Sequence, residues 1–117
     1  MTRLQSGNIL LVRHGFTDEK TRKRSHLRAF ISSDEGLTWQ GGLLLDERVA
    51  VSYPTGFQAP DGYIFISYDY ERAKAGELYL ARFTEEDILA GKIVSKKGYV
   101  RKLVLKPGRI EYSTARW

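Results

Sequence analysis

The chain has no cysteine, only two histidines among its 117 residues, and no apolar run of membrane-spanning length. The missing cysteines exclude a disulfide framework and a thiolate metal centre. With so few imidazoles as well, neither a metal nor any other cofactor is expected. A helix crossing a membrane needs about 20 apolar residues, and none of the runs approaches that. Met1 to Gln5 contains no charged segment leading into an apolar stretch, so the chain reads as soluble and untargeted. The compartment stays open, because many secreted bacterial proteins also lack cysteine. No internal repeat is visible either.

What is present suits one domain with a modest core, since 42% of the residues are hydrophobic. The formal charge of +5 is concentrated in Lys20-Thr21-Arg22-Lys23-Arg24 and in Lys92, Lys96, Lys97, Arg101, Lys102, Lys106 and Arg109. No nucleic-acid motif accompanies that charge, so it is read as a solvated basic loop and tail. An anionic sugar is another partner that a basic face suits.

Short alternating or apolar runs, separated by turn residues, predict an antiparallel all-β chain. Strands are expected near Asn8 to Arg13, His26 to Ile31, Gly42 to Leu45, Gly56 to Ala59, Tyr63 to Tyr68, Glu77 to Phe83 and Tyr99 to Leu105. In Ala59-Pro60-Asp61-Gly62-Tyr63, Pro60 presets φ, Asp61 bonds locally and Gly62 accepts a left-handed conformation, which predicts a hairpin. The continuous run Tyr63-Ile64-Phe65-Ile66 suggests a strand covered on both faces, whereas Leu27, Ala29 and Ile31 alternate onto one. One short helix is expected near residues 85–90. Thr84 is its N-cap, Glu85, Glu86 and Asp87 fill the first turn, and Gly91 ends it. A basic tail with one further strand and a stop at Pro107-Gly108 follows.

The most diagnostic stretch is Ser32-Ser33-Asp34-Glu35-Gly36-Leu37-Thr38-Trp39, of the form S-x-D-x-G-x-T-W. Ser32 and Asp34 are short acceptors able to bond their own loop, Gly36 permits a positive φ, and Trp39 supplies a large ring beneath the turn. This pattern resembles the Asp-box, a structural turn at the outer hairpins of sialidase-type β-propellers. The resemblance extends through Arg24 to Ile31 before the motif. After it come Leu43 to Arg48, Val51 to Gly62, Tyr68-Asp69 and Phe83 to Gly91, so that about Arg3 to Gly91 is similar to the C-terminal part of a sialidase. It implies residues 1–91 as two to three blades of a sialidase-like six-bladed propeller, with residues 92–117 as the tail. It also implies Tyr53 as the family's nucleophilic tyrosine and Arg24 as the last of three arginines that hold the substrate carboxylate.

A physical reason supports those residue types. Sialic acid carries a carboxylate at its anomeric carbon, so a phenol activated by a glutamate approaches more easily than an anion. Arginine forks pair bidentately with that carboxylate. The other two arginines, the acid aspartate and the activating glutamate have no counterpart here, and Pro54 stands where many family members have serine. The implied activity is sialidase-like hydrolysis of terminal sialic acid, incomplete in this chain. The alternative is a non-catalytic sugar-binding or self-assembling propeller module; a chain of this length is expected to be a truncated relic, a subunit completed by association or a small binding module reusing propeller blades. Tyr68, Asp69 and Arg72 are further candidates for the same rim.

One other motif competes. Asn8 to Thr17 reads as a strand ending in Arg13-His14-Gly15, which resembles the histidine phosphatase signature, with His14 taking a phosphoryl group and Arg13 binding it. The acidic residue usual after the glycine is Phe16, no late second histidine is present, and the alternating helices of that fold are missing.

Overall fold

A computed structural model describes residues 1–17, 20, 24–49, 51–71 and 76–105, without the side chains of residues 16, 17, 52, 53 and 105. Residues 21–23 of the basic loop, Arg72, and the tail from Lys106, including Pro107-Gly108, lie outside the described residues.

The chain is mostly antiparallel β, with one short helix among the described residues. Its elements run in the order β1 (Thr2–Arg3), β2 (Ile9–Thr17), β3 (Arg24–Ser32), β4 (Gln40–Asp46), β5 (Val51–Gln58), β6 (Ile64–Tyr70), β7 (Glu77–Phe83), α1 (Glu85–Ala90) and β8 (Tyr99–Leu105). They form two four-stranded sheets, ordered β1-β2-β3-β4 and β5-β6-β7-β8, so each sheet is a simple meander of consecutive strands.

Period-two alternation creates the core. Leu27, Ala29 and Ile31 on β3, with Leu43 and Leu45 on β4, turn one face inward; Ile64, Ile66, Tyr68, Ala81 and Phe83 of the second sheet join them in one buried cluster. Each fully buried aliphatic or phenylalanine side chain contributes about 1.5–3 kcal/mol. The run Tyr63 to Ile66 departs from expectation, because Ile64 and Ile66 are buried whereas Phe65 faces outward, half covered by a stacked Phe57. The strand therefore has one closed face and one open face.

Helix α1 has the predicted ends. The Thr84 side chain accepts from the Asp87 amide, the Asp87 carboxylate accepts from the Thr84 amide, and Gly91 terminates the helix with φ of 74°. The helix packs on β3 and β4. At Gly41, with φ of +81°, a Cβ would lie 2.4 Å from the Ile88 carbonyl oxygen, so the helix backbone sits directly on a position only glycine can fill.

Several strands exceed their expected lengths. β1 is two residues long, too short to leave a pattern. β2 continues through Arg13-His14-Gly15 to Thr17, so that motif lies within a strand and does not end one. β5 begins at Val51, five residues before the expected Gly56, because an edge strand with an irregularity between Ser52 and Thr55 tolerates Pro54. The Pro60-Asp61-Gly62 turn forms as predicted, with the Gly62 amide donating to the Ala59 carbonyl at 3.0 Å and the Tyr63 amide to the Asp61 carboxylate at 3.1 Å.

Candidate functional site

Because successive strands reverse direction, the connections fall at two opposite ends. The 32–39 loop, the 59–63 turn and α1 share one end. The start of β3, the end of β4, the start of β5 and the end of β6 share the other.

At the first end, the 32–39 loop is built by its own side chains. Ser32 Oγ donates to Asp34 Oδ1 at 2.8 Å and accepts from the Gly36 amide at 2.8 Å. The Asp34 carboxylate accepts from the Thr38 amide at 2.9 Å and from its hydroxyl at 2.5 Å. These bonds, the Thr38 hydroxyl foremost, hold the Asp34 pKa down to about 2. Gly36 has φ of +86°, and the half-buried Trp39 ring lies 3.7 Å from where its Cβ would stand. Glu35 makes a bidentate pair with Arg3, fastening the loop to β1. Ser32, Asp34 and Thr38 satisfy one another within the loop and Glu35 fastens it to β1, which makes it a brace.

At the opposite end, Arg24 opens β3 as an exposed residue paired with Thr17. Tyr53 is the third residue of β5, in the irregular stretch between Ser52 and Thr55; its side chain lies outside the described atoms. The start of β5 is held from two sides. Ser52 pairs with Asp69 of β6. Val51 is buried, and its carbonyl lies 2.6 Å from His14 Nε2. A carbonyl only accepts, so Nε2 carries the proton. His14 thus ties the first sheet to the second beside position 53.

Beneath this end lies a polar network that the sequence did not single out. Asp46, fully buried at the end of β4, receives Arg48 Nε at 3.0 Å, Arg48 Nη2 at 2.7 Å and the Tyr68 hydroxyl at 2.9 Å. The Arg48 guanidinium lies over the Tyr70 ring at 3.8 Å and the Tyr79 ring at 4.4 Å. The Tyr79 hydroxyl donates to the Glu77 carboxylate at 3.0 Å, and Arg101 pairs with Glu47 next to Asp46. Burial pushes the Asp46 pKa up, but the bonds from Arg48 and Tyr68 outweigh it and hold the carboxyl below its ordinary value. Burial first, and Asp46 second, raise the Tyr68 pKa, so Tyr68 is a protonated donor. Tyr68 therefore does not line the rim. Removing one partner of such a buried pair costs about 3–5 kcal/mol.

Asp46 and Arg48 stand two residues apart in sequence, yet their partners Tyr68 and Tyr79 come from the other sheet. The only local signal was an acid and an arginine two apart at a strand end. Asp87 was likewise underread. Besides capping α1 it accepts from the Val94 amide at 2.7 Å, the Ser95 amide at 2.9 Å and the Ser95 hydroxyl at 2.7 Å, so one buried carboxylate shapes both the helix start and the following loop. Among the described residues, no group of three or more His, Cys, Asp or Glu side chains is arranged to hold a metal ion.

The chain matches no protein-family model, and neither a characterised protein nor a solved structure shows significant similarity to it.

Proposed function

We propose that the chain is a two-blade portion of a sialidase-like β-propeller, whose Arg24 and Tyr53 end contributes part of a site for a carboxylate-bearing sugar. The observation that carries this reading is positional: Arg24 opens β3 and Tyr53 is the third residue of β5 at one end, and the 32–39 brace closes a hairpin at the other. Two consecutive four-stranded meanders joined by a short connection are also the arrangement that successive propeller blades require. In this reading Arg24 pairs with the sugar carboxylate and Tyr53 is the nucleophile, while the Asp46–Arg48 network anchors the corner where β5 begins.

No residue here is matched to the remaining arginines, the acid or the activating glutamate. Binding is therefore weak and turnover absent in the isolated chain. The test is a fluorogenic sialoside assay together with saturation-transfer NMR of sialic acid. Weak binding that is lost in Arg24→Ala, without turnover, supports the proposal and makes the chain a sugar-binding module in isolation. Binding unchanged by Arg24→Ala, or no binding at all, sinks it. Turnover abolished by Tyr53→Phe would instead show that association supplies the missing groups.

The phosphoryl-transfer alternative is not favoured. His14 sits inside a strand, its Nε2 proton is engaged by the Val51 carbonyl, and the chain around it is β.

A further inference from the structure

The two sheets present four outermost edges, and they are not equivalent. β5 carries Pro54, which has no N–H, beside a register irregularity; the β3–β4 and β7–β8 ladders are shifted in two places each. Irregular edges make poor templates for another strand. The edge of β2 is different. Among the described residues β1 covers only Ile9 and Leu10, while from Leu11 to Thr17, except at Gly15, β2 is paired on its β3 side alone, in a ladder without register shifts. This regular edge runs beside a cleft of about 190 Å³ between the sheets, lined by Leu10 and Val12 from one side and by Pro54, Gly56 and Ile66 from the other.

Among the described residues, the outward face of the same edge carries a charge that no carboxylate meets. Arg13 and Arg28 stand directly opposite each other on β2 and β3, and like charges so placed are destabilising. Arg13 Nε reaches the His14 carbonyl, at 3.4 Å, and Arg28 Nη1 that of Gly42, at 3.2 Å. Among the described residues neither arginine meets a carboxylate.

We propose that the β2 edge accepts an extended polypeptide strand in line with β1, alternating apolar and acidic residues. The antiparallel register set by Thr2 against Leu10 puts the residues opposite Val12 and His14 on the inner face, beside the apolar side chains of Leu10, Val12 and Ile66 at the cleft, and the residue opposite Arg13 on the outer face. Main-chain bonds to β2 supply affinity, and a carboxylate facing Arg13 and Arg28 supplies selectivity. The proposal stands on the sheet edge alone and is independent of the sugar site.

The probe is a short capped peptide alternating valine and glutamate, compared with its valine–lysine counterpart by NMR titration and amide hydrogen exchange. The acidic peptide is expected to bind at least about tenfold more tightly and to slow exchange between residues 11 and 16. In Arg13→Glu, at an exposed position that leaves the ladder intact, the preference should invert. Equal binding of both peptides, no binding, protection elsewhere, or an unchanged preference in Arg13→Glu would each overturn the proposal. So would protection of β2 that rises with protein concentration alone, which would make a second copy of the chain the occupant.

Discussion

Asp34 holds its loop only while it is ionised. Its folded pKa of about 2 lies below the ordinary 3.8, so the bonds to Thr38 stabilise the loop fully above about pH 4. That contribution disappears as pH falls from the ordinary value through the folded one. A carbon-detected titration should place the Asp34 midpoint near 2, with Thr38 amide exchange accelerating over the same interval, whereas Asp34→Ala should exchange fast at every pH. A midpoint near 3.8 would mean that the loop bonds do not form in solution. The same residue shows what a sequence can disclose. Ser32, Asp34, Gly36 and Thr38 satisfy one another within a few positions, so their geometry was legible from spacing. Asp46 has one partner two residues away and another, Tyr68, 22 residues away. The second can be found only when the sheets are brought together.

At the scale of elements, helix α1 depends on the absence of a side chain at Gly41. Gly41→Ala would force a Cβ into the Ile88 carbonyl and hold alanine at a left-handed φ, which alone costs about 1–2 kcal/mol. Denaturant unfolding should show a loss above about 2 kcal/mol, because the clash is with backbone and cannot be relieved by a rotamer change. A loss below 1 kcal/mol would mean that the helix is free to shift on β4. Strand existence and the helix were readable because alternation and caps are local signals. Strand bounds were less so. Pro54 broke the pattern of β5 although edge position and a bulge accommodate it, and the polar trio Arg13-His14-Gly15 looked like a strand end. His14 is tolerated there because the Val51 carbonyl of the other sheet accepts a hydrogen bond from its ring, a fact with no trace near position 14.

As a whole, the molecule is a thin slab of 44 × 41 × 22 Å whose outer sheet surfaces remain partly apolar. Phe57 is 61% exposed over Phe65, and Leu103 and Val104 are exposed on β8. Surfaces and edges of this kind drive association, so light scattering across a concentration series should report species larger than a monomer. A monomer persisting at high concentration would mean that the chain covers these surfaces itself. The strict succession of strands also has a temporal meaning. Every strand of the first sheet precedes Val51, so that whole ladder can assemble during synthesis while the second sheet is still inside the ribosome. Arg48 follows Asp46 by two residues and can neutralise it at once, whereas the Tyr68 hydroxyl arrives 22 residues later. The ion pair is thus able to form before its cover, since the tyrosines can close over it only when the second half of the chain emerges.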